Sequence, residues 1–312
     1  MLVFIKPLST FPKLHSDTLF GAITSAISEL YPDLVGEMLV EFDAGRPPFL
    51  ISSAFPVIYD NEAKIKFFPK IIWGSDLSDI DSEILKDYKK VAYIQEEIFF
   101  ELINGKLSEN DLLKDYDSYN LFSNLLFKNE VNVDVGIGEN ILPNNSVNRL
   151  SNETKIFYSN GDSYYNLGLF FLVDFFDEKY KEIVMSAVKF LKDRGFGKDI
   201  STGKGHFDYE IEDSEQISNE YEGNTFISLS RYIPTENELK RINEYSFYEI
   251  GFKRGRARSG EIRKQIRFFK EGSTFPNYQL IYGQNIKSGN NAVEYGYAFP
   301  VWYNSRRNLN ES

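Results

Sequence analysis

The strongest constraint on the fold is that two amphipathic helices each stand between strand-like runs. The first, "SDTLFGAITSAISELYP", has Ser16 or Asp17 as N-cap, sets Leu19, Ile23, Ala26 and Leu30 on one face with Phe20 and Ile27 beside them, and ends near Pro32. The second, "DEKYKEIVMSAVKFLKDRG", starts from Asp177 and aligns Tyr180, Val184, Ala187 and Leu191, with Ile183 and Val188 widening the stripe. Gly195 stands at its C′ position.

Strand signals surround both. "LVFIKPL" precedes the first helix and "FLISSAFPVI" follows it; "LGLFFLVDF" leads into the second, and "HFDYEIE", with Phe207, Tyr209 and Ile211 alternating against charges, leaves it. The order strand, helix, strand, interruption, strand, helix, strand is the βαββαβ plan of a ferredoxin-like (RRM-like) unit. The interruption, about 60–165, holds the helical-looking stretch "SEILKDYKKVAYIQEEIFFELING" and then an Asn-rich segment from Asn129 to Asp162 that reads as long hairpins or a loop. Further on, "NTFISLSRYIP", "SFYEIGFKRG", "IRKQIRFFKEGSTF" and "VEYGYAFPVWY" read as strands of a smaller unit. The expectation is an α+β chain of two ferredoxin-like domains, 1–213 and 222–312, the first carrying the insertion and a glycine-rich loop at 195–205. At 312 residues, two domains agree with the size at which single cores stop growing.

No cysteine is present, which excludes disulfides and thiolate metal sites, and no apolar run reaches the ~18 residues that a membrane span requires. The expectation is a soluble, cytoplasmic protein. The net charge of −11 argues against a polyanionic partner until its distribution is considered. Lys253 to Lys270 carries eight Lys or Arg and one acid, whereas Asp208 to Glu222 carries seven acids and no base. That segregation offers one face to an anion and another to solvent or a basic protein.

The stretch "DRGFGKDISTGKGHF", 193–207, follows directly on the second helix. It fails as a P-loop, because the spacing from Gly197 to Gly203 is one residue too long and Lys204 is followed by Gly205. It fails as a dinucleotide fingerprint, because Ile200 stands where the third glycine belongs and the chain runs from helix to strand. A glycine-rich loop whose backbone amides can approach an anion remains, with Lys198, Ser201, Thr202 and Lys204 as side-chain donors. Gly195 needs only a helix cap, while Gly197, Gly203 and Gly205 exceed what a cap requires. Phe196 and Phe207, flanking the loop, fit core packing better than stacking on a base.

On these residues the chain resembles a known family. The helix, the "GFGKDISTGKGHF" loop and the exiting strand resemble the RAMP superfamily of CRISPR-associated RNA-binding proteins. "LHSDTLFGAI", "ISSAFPVI", "NRLSNETKIFY", "ISLSRYIPT", "YEIGFKRGR" and "FKEGSTF" occur in the order seen in the fourth subunit of the Csm complex, the type III-A effector. The resemblance implies a non-catalytic assembly subunit that holds the 5′ repeat-derived tag of the crRNA and joins the large polymerase-like subunit to the adjacent RAMP backbone subunit. It implies no cofactor, no metal, no membrane and no small-molecule substrate.

A single-stranded tag is held by phosphate contacts and by bases splayed into pockets or stacked. The resemblance assigns such contacts to the loop residues Gly195, Gly197, Lys198, Ser201, Thr202, Gly203, Lys204 and Gly205. It assigns others to Arg149 in a thumb-like hairpin, and to Arg254, Arg256 and Arg258, which share a face if they lie on one strand. His15 and Ser16, at a helix start, and His206, beside the loop, are further RNA-contact candidates. For His15 a structural or capping role and acid–base catalysis stay open, since related proteins process crRNA precursors with a histidine. A metal-independent endoribonuclease is therefore the alternative, and a small-molecule enzyme using the loop for phosphate is a third reading.

Overall fold

The computed structural model describes residues 1–60, 63–129, 135–197, 204–213, 223–255, 263–289 and 292–304. The chain begins with β1 (Leu2–Pro7), α1 (Ser16–Leu30), α2 (Pro32–Asp43), β2 (Phe49–Ile51) and β3 (Phe55–Asp60). The insertion follows as β4 (Ala63–Pro69), α3 (Ser82–Tyr88), β5 (Tyr93–Gln95), α4 (Glu96–Ile103), α5 (Glu109–Lys114), β6 (Tyr119–Phe122), β7 (Leu125–Lys128), β8 (Gly136–Val147) and β9 (Thr154–Tyr165). The chain then re-enters the first unit with β10 (Leu167–Phe175), α6 (Lys179–Arg194) and β11 (Phe207–Glu212).

β11, β1, β10 and the β2–β3 pair lie side by side, all antiparallel, which is the strand order a βαββαβ unit produces. The sheet continues through β4, β5, β7 and β6 to nine strands, so the insertion extends the sheet instead of standing apart from it. α1 and α6 pack against one another. Their apolar stripes (Leu19, Phe20, Ile23, Ala26 and Ile27; Tyr180, Ile183, Val184, Ala187, Val188 and Leu191) are buried in one core with β1 and β10. Leu30 departs from the expected stripe at 38% exposure, because α1 stops there and the chain turns through Tyr31. Pro32 then serves as the first residue of α2, where its missing N–H costs nothing.

Three sequence expectations change in detail. The single strand expected over 49–58 is broken at 52–54, and Ser52 Oγ takes over the missing ladder bond by accepting from Leu172 N at 2.9 Å. The helical-looking stretch from Ser82 is interrupted by β5, because Tyr93, Ile94 and Gln95 pair with β4 and the first two pair with β7 as well. From Gly136 onward the Asn-rich segment forms one hairpin, β8–β9, with each strand twelve residues long.

The C-terminal unit comprises β12 (Thr225–Ser228), α7 (Glu236–Leu239), β13 (Ile250–Lys253), β14 (Ile266–Phe269), β15 (Thr274–Pro276), β16 (Ile286–Gly289), β17 (Ala292–Glu294) and β18 (Pro300–Tyr303). β15–β12–β18 form a small sheet, and β13–β14 and β16–β17 are hairpins. Its described residues hold one four-residue helix, so they do not display a second βαββαβ plan. The architecture is mixed α+β, with a nine-stranded sheet and seven α-helices among the described residues.

The two units share a core. Ile227, Leu229, Tyr295, Tyr297, Phe299, Val301 and Tyr303 belong to the same buried cluster as β1 and α1. Phe20 stacks on Tyr295 at 4.8 Å, and the Tyr295 hydroxyl accepts from Ile51 N at 3.0 Å. Phe20, Phe42, Tyr295 and Tyr297 thus form an aromatic joint, which flat, rigid rings fill at low entropic cost. Among the described residues, no helix is long and apolar enough to cross a membrane.

Candidate nucleic-acid interface

The glycine-rich loop leaves α6 through Gly195, whose φ of +92° ends the helix as the sequence predicts. Its two ends then close on each other: Phe196 N donates to Gly205 O at 2.9 Å. Gly205 N donates to Thr10 O at 3.0 Å, His206 N to Ser9 Oγ at 3.0 Å, and Leu8 N to His206 O at 2.8 Å. Gly205 has φ +73°, and a Cβ there would fall 1.9 Å from Phe196 O, so the neck admits only glycine at that point. Phe196 and Phe207 are 4% and 1% exposed and meet Phe11 at centroid distances of 5.6 and 5.8 Å, so both seal the neck as core residues. Gly197 leads into the loop, and Lys204 and His206, both half-buried, leave it. Lys198, Ser201, Thr202 and Gly203 lie outside the described residues.

The segment that receives this neck also holds the β8–β9 hairpin. Phe11 and Asp162 exchange backbone hydrogen bonds at 2.8 and 3.1 Å, so residues 8–12 are gripped by the glycine loop and by the hairpin base. The hairpin tip is closed by Asn148 N donating to Glu153 O at 2.9 Å and carries Arg149, exposed, beside Leu150 at 99% exposure. From Gly161, next to this grip, to Thr154 the strand rises ~23 Å, so Arg149 projects well away from the glycine loop. Ile156 and Tyr158, both exposed, lie along that reach.

His15 and Ser16 belong elsewhere. His15 is the N-cap of α1 by backbone alone, and neither Ser16 nor Asp17 caps the helix as the sequence suggested, because their side chains face the C-terminal unit. Ser16 N instead donates to Ser53 Oγ at 2.9 Å; that hydroxyl donates to Glu271 Oε1 at 2.5 Å, and His15 Nδ1 lies 2.9 Å from the same oxygen. Ser16 Oγ accepts from Arg231 N at 3.0 Å. The Arg231 guanidinium lies 3.2 Å from Asp17 Oδ2 and over the Phe268 ring at 4.4 Å. Lys253 Nζ bridges Asp17 Oδ2 at 2.6 Å and Glu294 Oε2 at 3.1 Å, and Arg263 holds the other Glu294 oxygen at 2.9 Å.

This buried polar node ties the start of α1 to β13, β17 and the turn before β15. Sequence reasoning missed Asp17, Ser53, Arg231, Glu271 and Glu294 as a group. A signal was present: the quoted motifs "LHSD", "ISSAF", "ISLSRY", "GFKRG" and "FKEG" each contribute one side chain or more to it. Arg254 is exposed just beyond the end of β13, while Arg256 and Arg258 lie outside the described residues. The structure therefore does not bring all the expected residues together. The loop neck and the hairpin base share one segment, Arg149 stands out from it, and His15, Ser16 and the β13 end form a separate region. Among the described residues, no group of three or more His, Asp or Glu is placed to hold a metal ion.

The node makes the junction acid-sensitive. Burial works to raise the Asp17 carboxyl, but Arg231 and Lys253 outweigh it and hold Asp17 below its ordinary value. Burial likewise opposes Glu271, and the hydrogen bond and charge of His15, with Arg231 and Ser53, bring it below the usual range. Both groups bind protons more weakly folded than unfolded, so their contribution is complete above the unfolded carboxylate range near pH ~4 and is lost as pH falls through the depressed values. The thermal midpoint should stay level from neutral pH to about 5 and drop below about 4, with a shallower drop in Asp17→Asn. An equally steep acid limb in that variant would remove Asp17 from the explanation.

The CRISPR Csm4 C-terminal domain model matches residues 221–303. The whole chain is similar in fold to a chain of the crystallised Csm3–Csm4 subcomplex of the type III-A CRISPR-Cas interference complex, with TM-score 0.70 and 18% identity over 97% of this chain and 99% of that one. It is also similar to a chain of the Csm1–Csm4 cassette in complex with AMPPNP, with TM-score 0.59 and 21% identity over 97% and 96%. The cassette with cA4 gives TM-score 0.54 and 20% identity over the same shares. No curated protein sequence matches the chain. The domain match identifies residues 221–303 as a Csm4 C-terminal domain, and the structural likenesses show that the whole chain shares the fold of those Csm complex chains.

Proposed function

We propose that the chain is a non-catalytic RNA-binding subunit of a type III-A CRISPR effector complex, anchoring the 5′ repeat-derived tag of the crRNA at the glycine-rich loop. The observation that carries this reading is the clasp on residues 8–12. A closed loop neck and an exposed hairpin carrying Arg149, both fastened to that one segment, suit contacts spread along one extended ligand. A small anion would need neither the hairpin nor its ~23 Å reach. The chain would bridge a large polymerase-like subunit and an adjacent RAMP backbone subunit; the similar structures, which pair Csm4 with Csm1 and with Csm3, support those two partners. The two units, 1–213 and 222–312, would work as one body through their shared core.

Purified with its genomic neighbours, the full chain should retain crRNA with an intact 5′ tag. If about five phosphates are engaged, the log–log slope of affinity against salt should be near −3.5, from ~0.7 per single-strand contact. A flat salt dependence would reject phosphate anchoring. Cleavage of repeat RNA in EDTA that disappears in His15→Ala or His206→Ala would replace the non-catalytic reading with the endoribonuclease one. For His15, the hydrogen bond to Glu271 favours the structural role.

A further inference from the structure

The β13–β14 hairpin has two unlike faces. Lys253 and Phe268 turn inward, to Asp17 and beneath Arg231 respectively. On the opposite face Phe252 stands directly across from Arg267 and Ile250 across from Phe269, since partners in an antiparallel pair share a face. Phe269 is covered by Tyr232 and Tyr248, but Phe252 is 74% and Ile250 58% exposed. A phenylalanine so exposed on a regular strand gains nothing for folding. Arg267 beside it and Arg254, two residues on from Phe252, are also exposed, and neither has an ion pair among the described residues.

We propose that this outer face is a stacking platform for single-stranded RNA, with a base on the Phe252 ring and flanking phosphates on Arg267 and Arg254. The inference rests on the RNA-binding reading and adds a second contact region, away from the glycine loop. Charge complementarity selects RNA as the occupant: in a chain of net charge −11, Arg254 and Arg267 stand exposed beside the ring with no acid paired to them among the described residues. The geometry also suits it, because base stacking requires an accessible aromatic face with cations in reach and tolerates any base sequence.

The test uses the full chain and a fluorescein-labelled, mixed-sequence single-stranded RNA, with binding read by anisotropy. Phe252→Ala should weaken binding about tenfold, within the ~1–3 kcal/mol that stacking one base contributes, and Phe252→Trp should restore it. Arg267→Ala should reduce the salt slope by ~0.7. Because Phe252 is exposed, the alanine variant should keep the wild-type melting temperature, which separates binding from folding. Wild-type affinity in Phe252→Ala, with Lys198→Ala or Arg149→Ala weakened, would overturn the platform and leave the proposed function standing. If Phe252→Ala instead keeps its RNA and loses a neighbouring subunit on co-purification, the face belongs to a protein. Absence of salt-dependent RNA binding by the wild type would overturn both readings.

Discussion

Asp17→Asn is expected to destabilise the protein by about 3 kcal/mol, toward the lower end of the ~3–5 kcal/mol observed when one partner of a buried ion pair is removed. The side chain is nearly isosteric, and the amide oxygen can still accept from Thr18 N, which lies 2.8 Å from Asp17 Oδ1. What disappears is the charge that Arg231 and Lys253 both use. Arg231 is the more exposed to the loss: its side chain is 16% accessible, and its other carboxylate, on Glu271, is 3.9 Å away. Lys253 keeps Glu294, which moderates the cost. The melting midpoint should fall by about 6–12 °C at ~2–4 °C per kcal/mol, with the unit around β13 loosening first. A double variant with Arg231→Met should recover part of the loss, because it removes the stranded cation together with its partner. Strict additivity of the two substitutions, or a loss below about 1 kcal/mol, would mean that the junction is held by its aromatic core and not by the node.

The sequence made the first unit legible because its signals are local. The apolar periods of α1 and α6, the alternation in β11 and the glycine ending α6 each depend on neighbours a few residues apart, and all four appear where expected. What was not legible depends on long-range pairing. β5 has the composition of a helix continuing into α4, and only β4 and β7 on either side make it a strand. Ser16 and Asp17 look like caps in any local reading, yet their partners lie 215 and 214 residues away in sequence, on Arg231. For the candidate interface, the glycine loop was visible as an excess of glycine over what a cap needs. Its neck was not, since it is held by Thr10 O, which accepts from Gly205 N and is remote in sequence. The residues flanking the loop were rightly weighed toward the core, as Phe196, Phe207 and Phe11 now account for one another. Phe252 could not be singled out by composition, because exposure is what distinguishes it from the many buried phenylalanines.

Gly205→Ala should be the most damaging small substitution in the loop region. A Cβ at this position would fall 1.9 Å from Phe196 O and 2.7 Å from Phe196 N and C, and all three are backbone atoms that no rotamer change can move aside. The backbone cannot simply shift, because Gly205 N is held to Thr10 O and Gly205 O to Phe196 N. The left-handed φ adds ~1 kcal/mol of strain for any residue with a Cβ, and breaking two neck hydrogen bonds adds ~1 kcal/mol each, for a total of about 3 kcal/mol. Gly197→Ala is the matched control: its φ is +102°, but the nearest atom to a new Cβ is Pro12 Cγ at 3.8 Å, so only the ~1 kcal/mol of backbone strain applies. If the neck shapes the loop for RNA, Gly205→Ala should lower RNA affinity at least about tenfold at a temperature where the protein remains folded, beyond the loss in Gly197→Ala. Equal affinities in the two variants, despite unequal stabilities, would show that the neck holds the fold and leaves the ligand to other residues.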